Sequence, residues 1–463
     1  MSVRQQEPRG AAPAPGQRAQ PNLLFVFSDE HRACSLAGEP YCDVQTVHLG
    51  RLAREGISFR NCISNYPLCS PYRGMLLSGR WPFQTGIVDN AIELRDDEFS
   101  LGEAFRRAGY RTGYIGKWHL SAHRGDREFV PSGPARHGFE DWQVWSTSNK
   151  RHFDRAFTFD PETGEKVRPQ GYSATLMTDA ALSFIGSRTD KPWMLVLSWG
   201  PPHPPFEDAP PETLRLYDPD RLEFRPNVPK EMRPEVKAYL RGYYAHISAI
   251  DAELGRLLQK LDETQQAADT IIVYTSDHGT MLGSHSLGGK RLPLDEACRV
   301  PFLLRYPGVV PANCNSDVLL SAIDIFPSLC GLAGASVPAH CEGRDRSVSM
   351  RGSEAPGPES ALLMHLQKTN ADTEGGEKLA PLFRGIRTER FTYAVAGDGR
   401  WCLYDNREDP YQLRNLIDEP ALARSVEALD ELLAQWLVRA HDPFPLSEIR
   451  QRRSVHGRTI AAE

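Results

Sequence analysis

The 463-residue chain lacks an apolar run long enough to cross a membrane, and it lacks an excess of positive charge. Its most apolar stretches, residues 193–199 and 301–304, have the length of buried strands, whereas a membrane helix needs about 20 apolar residues. A formal net charge of −6 offers no basic face for a nucleic acid. We therefore expect neither a membrane nor a nucleic acid as a partner.

The chain also lacks a CxxC pair, and its nine cysteines are an odd number scattered along the sequence. This spacing disfavours a disulfide framework and a structural zinc site, so most of the cysteines are expected to be reduced, buried thiols. Residues 1–20 are rich in Gln, Arg, Pro and Ala and lack the apolar centre of a secretory signal. They predict a disordered leader and, with it, a cytoplasmic protein.

Two apolar runs of strand length each end in polar residues that can bind a metal. Residues 22–28 (NLLFVFS) precede Asp29 and Glu30, and residues 270–274 (TIIVY) are soon followed by Asp277 and His278. Such runs are typical of buried parallel strands, and open α/β sheets bind ligands at the carboxyl ends of their strands. Oxygen ligands with one imidazole suit Ca²⁺, Mg²⁺ or Mn²⁺ better than structural zinc. Taken alone, an acidic pair after a strand is equally consistent with a solvated turn.

The segment from Cys69 to Gly74 (CSPYRG) reads as the start of a helix. Pro71 suits the first helical position, which puts Cys69 at or just before the helix N-terminus, where free N–H groups favour an anion. Arg73 would lie on the same helical face as Cys69. A nucleophile candidate, an anion hole and a forked guanidinium together indicate a site for a sulfate or phosphate ester.

Four further residues are candidates for this site. Lys117 and His119 follow a predicted strand and would project to the same side of an extended chain. His203 stands among four prolines that keep it out of a helix or a central strand, and it could act as an acid for the leaving group. Lys290 ends a Gly-rich loop and could place a cation on an anionic group. Each of these patterns is also common in ordinary surface loops.

Two regions receive no catalytic role from their sequence. Residues 121–169 show little periodicity and are predicted to be an insertion that borders the site. Residues 234–261 have apolar positions at helical spacing, so His246 and Asp251 on that helix are predicted to be structural.

The motifs in this order resemble those of a type I sulfatase of the alkaline-phosphatase-like superfamily. Residues 69–73 (CSPYR) match the C-x-P-x-R signature whose cysteine is oxidised to formylglycine, and residues 116–119 (GKWH) match a second family element. The remaining matches follow in the expected order at residues 202–204 (PHP), 276–279 (SDHG), Lys290 and 296–301 (EACRVP). One short match is weak, but this ordered set is highly specific and spans about residues 21–439.

The resemblance implies a sulfuric ester hydrolase that releases an alcohol and inorganic sulfate. It implies that oxidised Cys69, hydrated and bound to the metal, attacks sulfur with the help of Arg73, and that His119 is the base that then expels sulfate. It further implies that Lys117, His203 and Lys290 grip the sulfate, with His203 or Lys290 protonating the departing oxygen. The metal ligands that it implies are Asp29, Glu30, Cys69, Asp277 and His278.

The resemblance also implies an α/β fold, with a large mixed, mostly parallel sheet flanked by helices and a small C-terminal antiparallel sheet with a helix. The matching domains are a catalytic domain at residues 21–350 and a C-terminal subdomain at 360–446, with a loose tail at 447–463. The expected cofactors are formylglycine made from Cys69 and one divalent cation, Ca²⁺ before Mg²⁺ or Mn²⁺. The expected partners are a small-molecule or carbohydrate sulfate ester and, transiently, the formylglycine-generating enzyme; a homo-oligomer is left open.

Two other functions stay open on the sequence. The same scaffold could hydrolyse a phosphonate monoester or a phosphodiester. A non-catalytic anion-binding relative would keep Cys69 as an unmodified thiol. A thiol phosphatase is disfavoured, because that chemistry needs a longer spacing than the three residues between Cys69 and Arg73.

Overall fold

The computed structural model describes residues 20–121, 129–145, 151–153, 158–187, 189–353, 357–366 and 381–450. Residues 1–19 of the predicted leader and 451–463 of the predicted tail lie outside these ranges. Residues 446–449, where the predicted tail begins, form a short helix on which Leu446 and Ile449 are buried.

The described residues form two sheets with helices around them. The strands are β1 (Asn22–Asp29), β2 (Ile57–Ile63), β3 (Arg111–Lys117), β4 (Asp141–Trp145), β5 (Thr158–Phe159), β6 (Lys166–Val167), β7 (Trp193–Pro202), β8 (Thr270–Ser276), β9 (Arg299–Val300), β10 (Phe302–Arg305), β11 (Cys314–Ser321), β12 (Ser360–His365), β13 (Phe383–Thr388), β14 (Phe391–Ala396) and β15 (Gly399–Asp405). The α-helices are α1 (Val47–Arg54), α2 (Cys69–Ser78), α3 (Pro82–Thr85), α4 (Leu101–Arg107), α5 (Ser173–Gly186), α6 (Pro211–Leu214), α7 (Arg233–Glu263), α8 (Asp295–Cys298), α9 (Ala322–Ala333), α10 (Ser347–Met350), α11 (Ala423–Ala440) and α12 (Leu446–Ile449). Short 3₁₀ turns lie at Pro134–Arg136, Phe206–Asp208, Ala267–Asp269, Ser284–Ser286 and Pro420–Leu422.

The large sheet is mixed and mostly parallel, in the order β11-β2-β10-β8-β1-β7-β3-β4-β5-β6, with β9 paired to β2. Strand β1 lies at its centre and runs parallel to both β7 and β8. Strand β10 is antiparallel to its neighbours β8 and β2. The predicted fold class is therefore confirmed.

The apolar run of β1 is buried on both faces of the sheet. Leu23 and Phe25 pack on one face in a core that includes side chains of α2, α4 and α9. Leu24 and Val26 point to the opposite face and pack with α1, α5 and α7. The side chains alternate because successive residues of a strand face opposite ways, and helices on both faces explain why the run is continuously apolar.

The small sheet is antiparallel, in the order β12-β13-β14-β15. Apolar residues of α11, among them Leu433, pack against it. It is joined to the large domain by a buried ion pair, in which Arg387 Nη1 of β13 lies 2.9 Å from Asp295 Oδ1 of α8. The domain boundaries at 350 and 360 stay predictions.

No helix in the described part of the chain is both long and apolar enough to cross a membrane. All nine cysteines are free thiols, as their spacing predicts. The stretch at 121–169 contains β4, whose pairing with β3 extends the large sheet. The sequence signal for this strand is weak, because the polar–apolar alternation covers only residues 141–144 and ends at Trp145.

Candidate active site

Two neighbouring strands end in carboxylates at the same edge of the sheet. Ser28 of β1 pairs with Ser276 of β8, so Asp29 and Asp277 follow side by side. The Asp277 N–H donates to the Ser28 carbonyl at 3.2 Å, and Asp277 Oδ1 accepts from the Glu30 N–H at 3.2 Å. Both carboxylates are fully buried. The strand ends meet where the sequence pattern predicts a ligand crevice.

Cys69 faces these carboxylates from the first turn of α2. Its Sγ lies 3.3 Å from His278 Nε2 and 3.7 Å from Asp29 Oδ1. The helix begins at Cys69 itself, so Pro71 is its third residue and not its first as predicted. Proline is tolerated there because the N–H groups of a first turn have no partner inside the helix.

Arg73 reaches the same carboxylates from one turn further along α2. Its Nη2 lies 3.0 Å from Asp277 Oδ2 and 3.3 Å from Asp29 Oδ2. Its Nη1 donates to the Lys117 carbonyl and to Ser198 Oγ, each at 2.7 Å. The fork of the guanidinium therefore binds protein groups, and it links the ends of β1, β3 and β8 with the middle of β7 beside Cys69.

Two lysines bring positive charge to the same place. Lys117 Nζ donates to Asp29 Oδ2. Lys290 Nζ donates to Glu30 Oε1 and lies 3.7 Å from Cys69 Sγ. Burial alone would raise the pKa of Asp29, but the charges of Lys117 and other nearby cations hold it well below its ordinary value. Asp29 is therefore a carboxylate at neutral pH.

The same cations act on Cys69. Burial and the charge of Asp29 raise the pKa of the thiol, but Lys117, Lys290 and His278 together lower it to about 5. The ordinary thiol pKa is about 8.5. The site therefore stabilises a negative charge at position 69, as a position that holds the nucleophile for an anionic ester requires.

His203 stands at the open side of the site, directly after β7. Its Nδ1 donates to the Pro204 carbonyl at 2.7 Å, and its Nε2 lies 3.5 Å from Glu30 Oε1. The side chain is 26% exposed, so it can meet a bound ester. The prolines before it differ from expectation, because Pro201 and Pro202 form the end of β7. The cis Pro201–Pro202 bond lies where the pairing of β7 with β1 shifts register.

The predicted extended pairing of Lys117 with His119 is wrong. Strand β3 ends at Lys117, and His119 has a φ of 58°, which is left-handed backbone. The chain turns there because the His119 carbonyl accepts a hydrogen bond of 2.6 Å from Ser70 Oγ at the start of α2. His119 is nevertheless buried, with only 7% of its surface exposed, and its carbonyl contacts the start of the helix that carries Cys69.

Two histidines that support His203 were missed as site residues. His152 Nε2 donates to the His203 carbonyl at 2.7 Å, and its ring centre lies 4.7 Å from that of His246. His246 in turn receives a hydrogen bond of 2.8 Å from the Tyr172 hydroxyl at Nδ1. His152 lies in the stretch that lacks periodicity, so its sequence carries no signal. His246, for which the sequence predicts a structural role, donates through Nε2 to the Pro205 carbonyl at 3.2 Å in the loop of His203.

The residues that could hold a metal fall into two groups that share Asp29. Ligand atoms of Asp29, Cys69, Asp277 and His278 all lie within 4.8 Å of one another, and so do those of Asp29, Glu30 and His203. Glu30 thus stands apart from the first group, and its carboxylate contacts Lys290. Burial and the nearby charge of Asp29 raise the pKa of Asp277, which is the condition that a bound cation relieves. The donor set fits a hard divalent cation.

His278 is oriented for such a role. Its Nδ1 lies 2.9 Å from the Gly279 carbonyl and must donate to it, which leaves Nε2 facing Cys69 and the two carboxylates. Burial lowers its pKa, but Asp277 and Cys69 raise it to about 9. A cation among the same carboxylates would favour the neutral ring with its Nε2 lone pair free.

A buried cysteine among carboxylates and cations, at the strand ends of an α/β sheet, is the arrangement expected of a hydrolase of anionic esters. A family model for sulfatases matches residues 21–335, and a model described as N-sulphoglucosamine sulphohydrolase, C-terminal, matches residues 283–439. The chain belongs to the sulfatase family, and its reaction is the hydrolysis of a sulfate ester.

Individual relatives agree with this assignment. An ulvan-active sulfatase of Formosa agariphila is 33% identical over 432 residues, which cover 92% of this chain and 82% of the relative. A second relative is a solved structure from work on the metabolism of glycosaminoglycans by Bacteroides thetaiotaomicron. It is 28% identical to this chain with a TM-score of 0.83, and the match covers 93% of this chain and 98% of that one. A phosphonate monoester hydrolase of Agrobacterium radiobacter is 23% identical with a TM-score of 0.74, covering 91% and 96%, and shows the fold alone.

Proposed function

We propose that the protein hydrolyses a sulfate ester of a carbohydrate, using a formylglycine made from Cys69 beside one divalent cation. The observation that carries this proposal is the position of Cys69 Sγ, which is 3.3 Å from His278 Nε2 and 3.7 Å from Lys290 Nζ. Carboxylates on one side could hold a cation, and lysines on the other could hold the ester. The carbohydrate is supported by relatives named for ulvan and for glycosaminoglycans.

The proposed metal ligands are Asp29, Asp277, His278, the modified residue 69 and Glu30. Ligand atoms of Asp29, Cys69, Asp277 and His278 lie within 4.8 Å of one another, and Glu30 lies next to Asp29 in the chain. Ca²⁺ is the first candidate and Mg²⁺ or Mn²⁺ are the alternatives, because the donors are mainly oxygen. The cation would polarise the ester and stabilise the charged nucleophile.

The other proposed roles follow from charge and position. Lys117, Lys290 and His203 would bind the anionic oxygens of the ester, since each places a nitrogen beside Asp29 or Glu30 at the crevice. His203 would give a proton to the departing sugar oxygen, because it is the most exposed of the three. His119 would act as a base and accept the proton that a hydroxyl group of the modified residue 69 loses. The formylglycine would supply the attacking hydroxyl, and its making requires a formylglycine-generating enzyme as a transient partner.

All of these residues lie within the proposed catalytic domain at 21–350, and the proposed subdomain at 360–446 supports it. Asp295, which pairs with Arg387 of the small sheet, follows Lys290 closely in the chain. Its N–H donates to Gln412 Oε1 at 2.9 Å. The subdomain would thereby steady the segment that carries Lys290.

The experiment that tests the proposal measures the mass of the peptide around Cys69 together with turnover. Protein co-expressed with a formylglycine-generating enzyme should carry the aldehyde at position 69 and release sulfate from a sulfated saccharide in the presence of Ca²⁺. Protein made without that enzyme, and a Cys69→Ala variant, serve as matched controls and should be inactive. An intact thiol in fully active protein would contradict the mechanism.

The second candidate is the hydrolysis of a phosphonate monoester or phosphodiester, favoured by the fold shared with the phosphonate monoester hydrolase. The two candidates separate when kcat/KM is measured for an aryl sulfate and for an aryl phosphodiester with the same leaving group. We expect the sulfate to be preferred, and a large preference for the phosphodiester would reverse the order of the two.

A further inference from the structure

Arg32, just past the end of β1, is a buried guanidinium without a counter-charge. Arg32 is 3% exposed, and its Nε donates to Ser35 Oγ at 3.2 Å. Its guanidinium carbon lies 5.2 Å from the centre of the Tyr243 ring. Within the described part of the chain, it pairs with no carboxylate, and its two terminal nitrogens meet no acceptor. Arginine does not lose its proton in proteins, and an uncompensated buried charge is strongly unfavourable.

A second guanidinium lines the same cavity. Arg225 is 8% exposed and donates through Nε to Glu296 Oε1 at 3.1 Å. The rest of the wall is mainly apolar and aromatic and includes Tyr41 and Tyr244. Glu223 also lines the cavity, but it is exposed to solvent, and it forms no ion pair with Arg32 or Arg225. Glu296 balances the charge of Arg225, so the unbalanced positive charge at this largely apolar cavity is that of Arg32.

We propose that this cavity is an anion site that holds one chloride-sized ion at Arg32 and Arg225. Its free space admits about one water-sized particle, which suits a monatomic anion and excludes a sugar sulfate. The terminal nitrogens of Arg32 supply the N–H donors that such an ion needs. None of the residues lining the cavity belongs to the proposed catalytic set, so this site is separate from the ester site.

The anion site is linked to the active site by one hydroxyl group. The Arg32 N–H donates to the Tyr243 hydroxyl at 2.9 Å, and that hydroxyl donates to the Glu30 carbonyl at 2.7 Å. Glu30 has a φ of 73°, a left-handed conformation that its neighbours must hold. An anion that neutralises Arg32 would therefore stabilise the turn that follows Asp29.

Thermal unfolding with chloride replacing gluconate at constant ionic strength tests the proposal. Ca²⁺ is kept saturating, and gluconate is too large to enter the cavity. The wild-type Tm should rise saturably by roughly 2 °C, Arg32→Met should lose the saturable rise, and Glu223→Gln should keep it. The proposal would be overturned if Tm did not rise, or if the rise did not saturate. A rise that persists in Arg32→Met would also overturn it, because it would place the ion in the ester site.

Crystals of the wild-type protein grown in bromide give a second measurement that does not depend on any variant folding. An anomalous peak beside the terminal nitrogens of Arg32 is expected. Peaks confined to the ester site, or none, would refute the anion site. Neither measurement uses turnover, so their failure would leave the proposed sulfatase mechanism untouched.

Discussion

Replacing His152 should separate the positioning of His203 from general stability. His152 is 1% exposed and donates a hydrogen bond of 2.7 Å to the His203 carbonyl. Leucine removes the donor and leaves the partly buried His203 carbonyl unpaired, a loss of roughly 1–3 kcal/mol. If His203 is the leaving-group acid, a rate enhancement of about 10²–10⁴-fold depends on its position. We expect His152→Leu to lose roughly ten-fold in kcat with a poorly leaving alcohol, because only part of that contribution is lost.

The assay compares an alkyl or sugar sulfate with an aryl sulfate of good leaving group, with kcat and KM measured separately. An acid matters little when the leaving group departs without a proton, so kcat for the aryl ester should change little. His152→Gln keeps an N–H donor near the position of Nε2 and should recover most of the loss. Tyr172→Phe, which acts one contact further away through His246, should have a smaller effect. Equal losses on both substrates, or no difference between Gln and Leu, would refute the positioning role.

Three further predictions concern the metal, Arg73 and Asp295. Chelation should abolish sulfate release, and Ca²⁺ should restore it better than Mg²⁺, as followed by activity and metal content. Arg73→Met leaves Asp277 without its arginine and Asp29 with Lys117 as its remaining ion-pair partner, and it should lower the free energy of unfolding in urea by about 3–5 kcal/mol, with partial recovery in Ca²⁺. Burial raises the pKa of Asp295, but Arg299 and Arg387 hold it below its ordinary value, so its stabilisation is present above about pH 4 and falls as pH decreases through the folded pKa. The stability difference between wild type and Asp295→Asn should therefore shrink in acid, and a difference that is constant with pH would contradict this.

The residues that sequence could predict are those placed by a strand end or a helix turn. Asp29 and Asp277 follow apolar runs, and parallel pairing brings such ends to one edge whatever the rest of the chain does. Cys69 and Arg73 share a helix, so their common face follows from helical geometry. Local sequence carries these positions because one regular element, or one pair of neighbouring strands, fixes each of them.

The residues that sequence could not predict depend on contacts between distant segments. His152 reaches His203 across 51 positions, from a stretch without periodicity. His119 leaves the extended chain because Ser70 binds its carbonyl, a contact made only after α2 packs on β3. The carboxylate of Glu30 meets Lys290 across 260 positions, which no pattern near either residue records.

The hydrogen bonds that Arg73 makes to protein groups limit how this residue can bind an ester. The sequence suggests a forked guanidinium that grips the anion, but both terminal nitrogens are occupied by Asp29, Asp277, Ser198 and the carbonyl of residue 117. Only Nε is left without a partner among the described residues. This supports the proposal that the positive charge meeting the ester comes mainly from Lys117, Lys290 and His203. Arg73 instead keeps two like-charged carboxylates together at the distance that one cation can bridge, and this is why its loss should weaken stability and metal binding before it weakens the affinity for the ester.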